Sequence, residues 1–141
     1  GGREGVWGPG GIFMMDAGLA AKRAKKEDKM LLVHIPAEDT NHSIWADPLL
    51  AIAASCETVS LVVFADTSEH LWLAKAHGDS KGLPALYLIS QKGVLLQLVS
   101  GLLTIDETLN QIDTALAKLD KGHSTASRIR AYKTDAEKEK G

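Results

Sequence analysis

Hydrophobic positions along the chain fall into short solid runs separated by stretches of helical spacing. From Ile12 to Lys29, Phe13, Ala17, Ala20, Ala21 and Ala24 form a weakly apolar stripe opposite lysines and Arg23, which predicts a helix. Met30–Ile35 (MLLVHI) has no polar side, as expected of a strand buried on both faces. Ser43–Ser55 returns to helical spacing, with Ile44, Leu49, Leu50, Ile52 and Ala53 inward. Pro48 removes a backbone donor there, so a kink or restart near Asp47 is expected. Val59–Ala65 (VSLVVFA) predicts a second buried strand, and Asp66-Thr67-Ser68 caps a third helix that buries Leu71 and Trp72. Ala85–Ser90 and Val94–Ser100 flank the turn Gln91-Lys92-Gly93 and predict a hairpin. Thr104 and Glu107 then form a capping box ahead of Ile105, Leu109, Ile112, Leu116 and Leu119, the clearest helix of the chain.

The order is helix, strand, helix, strand, helix, strand, strand, helix. Two strands joined by a helix give a right-handed parallel crossover, and the last two give an antiparallel pair. The fold class expected is α/β: a βαβ unit plus a ββα unit in one mixed sheet, with helices on both faces. Residues 1–11 hold six glycines and a proline and read as a flexible lead, with Trp7 its anchor. Residues 12–120 form the domain. After Asp120 periodicity is lost, so residues 121–141 read as a charged tail or linker.

Composition narrows the function. The chain has 141 residues, 45% of them hydrophobic, enough for a real core. A formal charge of −2 argues against nucleic acid as a partner. Lys22, Arg23, Lys25, Lys26 and Lys29 against Glu27 and Asp28 make a local basic excess, read first as the solvated face of a helix. One cysteine, Cys56, allows no internal disulfide and no cysteine-based zinc site. No apolar run approaches the ~20 residues of a membrane span, and no signal-peptide pattern opens the chain, so a soluble intracellular domain is expected.

The stretch MLLVHIPAEDTNHSIW, Met30–Trp45, runs from buried strand through polar loop to helix, where α/β proteins place their chemistry. Asp39, Thr40, His42 and Ser43 bring acid, base and hydroxyls together. All four lie in one loop and helix start, however, and such residues are also what a helix N-terminus takes as caps, which is the preferred reading. His34 is either a proton-handling group or a core histidine bonded to backbone, the latter preferred. His70 and His77 stand about 10 Å apart along a helix, too far to share an ion, and no metal site is expected. Cys56 reads as a small buried filler, with a lone redox sensor or glutathione acceptor as the alternative.

On these residues the chain resembles the thioredoxin-like superfamily, over about Ile12 to Leu119. LLVHIPAEDTNHS lies without gaps on the stretch that carries the CxxC redox motif, with Thr40 and Ser43 at the cysteine positions and His34 at that of the buried carboxylate. Pro84, in GLPALYLI, matches the cis-proline facing the motif. Pro84 also has a plainer reading, a proline that starts a strand. AKKEDKMLLVHI, IWADPLL and FADTSEH are similar to UAS-type domains of UBX-containing proteins.

That resemblance implies a redox-inactive interaction domain without cofactor, in a ubiquitin-pathway adaptor of the AAA segregase valosin-containing protein, with a link to endoplasmic-reticulum-associated degradation. It implies a cytoplasmic location, with the cytosolic face of the endoplasmic reticulum as a variant. A groove formed by His34, Asp39, Asn41, His42, Trp45, Leu83 and Pro84 would take a protein or a lipid-like ligand. UBX proteins end in a ubiquitin-like module for which this chain has no room. The alternatives are a monothiol redox or glutathione-linked protein using Cys56, and a structural subunit of a larger assembly.

Overall fold

The computed structural model describes residues 6–7, 11–37, 42–101 and 103–119. Among these residues six strands form one sheet, β1 (Val6–Trp7), β2 (Phe13–Met14), β3 (Met30–Ile35), β4 (Thr58–Val62), β5 (Ala85–Ile89) and β6 (Leu95–Ser100), in the order β1-β2-β4-β3-β5-β6. β3 and β4 pair in parallel, while β5 is antiparallel to β3 and β6 to β5. Four helices cover the sheet: α1 (Ala17–Glu27), α2 (Pro48–Glu57), α3 (Ser68–His77) and α4 (Ile105–Lys118). The βαβ plus ββα plan expected from the hydrophobic pattern is present.

Alternation along the strands assigns the two faces. Met30, Leu32, Val62, Leu86 and Leu88 meet Trp45, Leu50, Ala53, Ile112 and Leu116 beneath α2 and α4. Val33, Ile35, Leu61, Val63, Tyr87 and Ile89 face the other way, where α1 and α3 contribute only Ala20, Ala24 and Leu73 as buried partners.

The edges of the elements depart from expectation in places. The helix predicted from Ile12 begins only at Ala17, where Asp16 accepts the Leu19 N–H at 2.9 Å. Phe13 and Met14 are instead a strand, paired with Val6 and Trp7 on one side and with Leu61 on the other. Part of the lead expected to be flexible is therefore a strand. Pro48 splits the second helix as expected: a 3-10 helix spans His42–Ala46, and α2 restarts with Asp47 accepting the Leu50 N–H at 3.1 Å. Thr67 and Thr104 cap α3 and α4, accepting from His70 N–H and Glu107 N–H.

Leu71 and Trp72, expected inside, are 64% and 62% exposed, and Leu73 is buried in their place. Three apolar residues in succession leave the phase of a helix undefined, and the packing chose the third. Cys56 is exposed rather than a buried filler. It sits beside Ser55 on the solvent side of α2, whose inward positions are Leu49, Leu50, Ala53 and Ala54. Among the described residues no helix is long and apolar enough to cross a membrane.

Candidate functional site

The site predicted at the end of β3 is built from neighbouring strand ends. Ile35, the last residue of β3, pairs with Ala85, so Pro84 lies beside the point where the chain leaves the sheet. The Leu83–Pro84 peptide is cis, and the Pro84 carbonyl accepts the Gly101 N–H at 2.9 Å. On the other side His34 pairs with Val62, and its carbonyl accepts the Val63 N–H at 3.0 Å, which carries Phe64 to the same edge. Phe64 and Leu83 are both exposed there. Phe64 was not singled out in the sequence. The signal was present: it is the last large side chain of the run VSLVVFA, past the point where sheet pairing ends.

The predicted groove residues separate. Asp39, Thr40 and Asn41 lie outside the described residues, as do the side chains of His42 and Ser43. His34 and Trp45 are each 1% exposed and so offer no side-chain surface to a partner. They belong to an aromatic cluster under the junction. Phe13 meets Trp45 edge-on, with ring centroids 4.9 Å apart, and His34 lies 5.7 Å from Phe13 and 5.5 Å from Trp45. The register explains it: His34 shares a face with Met30 and Leu32, the face covered by α2 and α4. Trp45 Nε1 is buried with no hydrogen-bond partner among the described residues. Of the predicted set, Pro84 and Leu83 stay at the junction, joined by Phe64.

Cys56 is far from this edge. It is the ninth residue of α2, which starts near the junction at Pro48, so it lies about 12 Å away along the helix axis. His70 accepts the Asp66 N–H on Nδ1 at 3.0 Å and closes the turn that opens α3. His77 packs edge-on against Trp72. No group of three or more His, Cys, Asp or Glu suited to a metal ion occurs among the described residues. The junction thus presents apolar side chains and strand-end backbone, which suits binding an extended or apolar segment.

Two ionisable groups away from the junction have displaced pKa values. The hydrogen bond from Arg23 Nε, at 2.6 Å, holds the Glu27 carboxyl below its usual range, opposed by partial desolvation and helped by Lys29. Burial raises the Tyr87 phenol above its usual value. Hydrogen bonding with Ser80 opposes that shift, and the Asp79 charge adds to it.

Comparison with solved structures places the fold in a class: it is thioredoxin-like. The chain resembles a thioredoxin from Thermus thermophilus, at 19% identity over 74% of this chain and 86% of that one, TM-score 0.62. A Bacteroides thetaiotaomicron protein named as a candidate disulphide-isomerase matches at 23% identity, 79% and 95% coverage and TM-score 0.63. The DsbH oxidoreductase matches at 12% identity, 81% and 88% coverage and TM-score 0.57. At these identities the likeness defines architecture alone. No family model matches the chain, and no curated protein does.

Proposed function

We propose that this chain is a redox-inactive thioredoxin-fold interaction domain, serving in a ubiquitin-pathway adaptor of the AAA segregase valosin-containing protein. One observation carries the first half: the chain holds a single cysteine, and it lies at the far end of α2 from the β3 junction. Dithiol exchange needs an attacking thiolate and a second thiol that resolves the mixed disulfide. Thr40 and Ser43, aligned with the cysteine positions, bring oxygen, which forms no such bond. The edge at Pro84, where Phe64 and Leu83 are exposed, is the surface offered for a protein segment. The adaptor role and the cytoplasmic setting rest on the resemblance of AKKEDKMLLVHI, IWADPLL and FADTSEH to UAS-type domains.

Insulin reduction by dithiothreitol tests the chemistry. Wild type and Cys56→Ser should both run at the uncatalysed rate. Turnover that disappears in Cys56→Ser would establish the monothiol reading, which the exposure of Cys56 favours over a structural role for that thiol. Immunoprecipitation of the protein that contains this chain tests the adaptor role. Recovery of the segregase is expected, and its absence removes that half while leaving the redox-inactive reading in place.

A further inference from the structure

The face under α1 and α3 holds a cavity of about 1120 Å³, open to solvent along the space between the two helices. Its floor is the sheet: Leu31, Val33, Leu61, Val63 and Ile89. One wall is Gly18, Ala21 and Lys25 of α1, the first two too small to fill the space; the other is Trp72 and Leu73 of α3. Trp72 is the largest exposed apolar side chain on that wall.

Charge at the cavity is uneven. Lys25, in the last turn of α1, and Lys92, in the β5–β6 turn, flank one end. Arg23 and Lys29 are both engaged by Glu27, whereas Lys22, Lys25 and Lys26 form no ion pair among the described residues. Gln91 lies at the same end. Its Nε2 donates to Asp28 Oδ1 at 2.6 Å, and its Oε1 is buried with no hydrogen-bond partner among the described residues. That end therefore presents two cations, Lys25 and Lys92, beside the Asp28 carboxylate that Gln91 engages. Glu69 lies on the α3 wall, eight residues before His77 and so at the other end of that helix.

We infer that this groove takes an amphipathic helix of a partner protein, laid between α1 and α3 with its acidic N-terminal turn at Lys25 and Lys92. A helix N-terminus has unpaired N–H groups and favours carboxylates in its first turn. The carboxylates match the Lys25 and Lys92 ammonium groups. The partner's apolar stripe would cover Trp72 and the Gly18–Ala21 wall, burying an aromatic anchor of the kind that dominates such contacts. Lys25 lies near the C-terminus of α1, so the bound helix runs antiparallel to it. The inference extends the interaction-domain reading to a second surface, and neither the insulin assay nor segregase recovery uses these residues, so the two can fail separately.

Calorimetry with a defined probe tests it. The probe is a helical peptide of leucines on one face and glutamates on the other, with glutamates in its first turn. Controls are a scrambled peptide of the same composition and a lysine-for-glutamate version. Binding is expected for the amphipathic acidic peptide alone. Lys25→Glu with Lys92→Glu should weaken it about tenfold, two rim pairs together. Trp72→Ala should weaken it by at least about tenfold. Ala21→Trp should abolish it by filling the space. All these positions are exposed, and an unchanged thermal midpoint confirms folding. Equal binding of the scrambled peptide, or binding indifferent to all the substitutions, overturns the inference. So does binding of phosphatidylserine vesicles through Trp72 without binding of the peptide, which would make the groove a membrane-docking site.

Discussion

The two faces of the sheet are built from the same strands and packed to different ends. Beneath α2 and α4, Phe13, Trp45, Leu50, Ile112 and Leu116 interlock with Met30, Leu32 and Leu88. Beneath α1 and α3 the sheet is no less apolar, yet the helices return alanines and one leucine. Small side chains let α1 sit close on the sheet at Ala20 and Ala24 but project little into the space beside α3, so an apolar cleft remains there. One face is closed by large side chains, and the other keeps an open apolar cleft.

The largest effect should fall on the packed face. Ile112→Ala, at a fully buried position, is expected to cost about 2–5 kcal/mol in urea unfolding, because the surrounding side chains cannot collapse into the cavity. Leu71→Ala, exposed on α3, should cost under about 0.5 kcal/mol. Similar losses from the two would erase the contrast between the faces.

Leu73→Ala probes the open face at the one buried residue of α3. The loss should sit near the low end of the buried-leucine range, about 2 kcal/mol, since the cleft beside it already admits solvent. Hydrogen exchange should show α3 amides losing protection while those of α4 keep theirs. Loss of protection in both helices together would mean that the faces unfold as one unit.

The same contrast governs what the sequence discloses. The strands Met30–Ile35 and Ala85–Ile89 and the helix after Thr104 were legible because long apolar runs and regular spacing admit one reading. The α3 phase was not: Leu71-Trp72-Leu73 gives no periodicity, and only contact with Tyr87's face of the sheet selects Leu73. Cys56 follows an Ala-Ala-Ser run with the same ambiguity. Strands of two residues, Val6–Trp7 and Phe13–Met14, are too short to carry a pattern at all. Of the candidate site, Pro84 was legible through the resemblance of GLPALYLI to the cis-proline stretch of thioredoxin-like proteins, and the Leu83–Pro84 peptide is cis. The burial of His34 and Trp45 was set by sheet register and helix contact, and the cleft by the spacing of helices distant in sequence.

Tyr87 ties the open face to the loop after α3, its hydroxyl donating to the Gly78 carbonyl at 2.7 Å. Tyr87→Phe removes that bond and should cost about 1 kcal/mol near neutrality. Burial raises the phenol's folded pKa, so its contribution is full below the ordinary tyrosine value and declines as pH rises toward the folded value. Unfolding measured across the alkaline range should show a decline in wild type that is smaller in Tyr87→Phe. Parallel curves would place the alkaline loss elsewhere.

The smallest effect should be Glu27→Gln on the outer side of α1. Glu27 pairs with Arg23 four residues earlier and with Lys29, at 2.6 and 3.3 Å, but these side chains remain substantially solvated. Exposed pairs at this spacing contribute about 0.3–0.5 kcal/mol. Because the folded carboxyl pKa is depressed, the contribution is present above the ordinary glutamate value and disappears as pH falls through the folded one. Unfolding of wild type and Glu27→Gln should differ slightly at pH 7 and converge in acid or at high salt. A difference that persists in acid would show that Glu27 acts by packing rather than by charge. A difference well above this range would show that the open face has an electrostatic clamp holding α1, and the cleft would then owe its shape to charge as well as to small side chains.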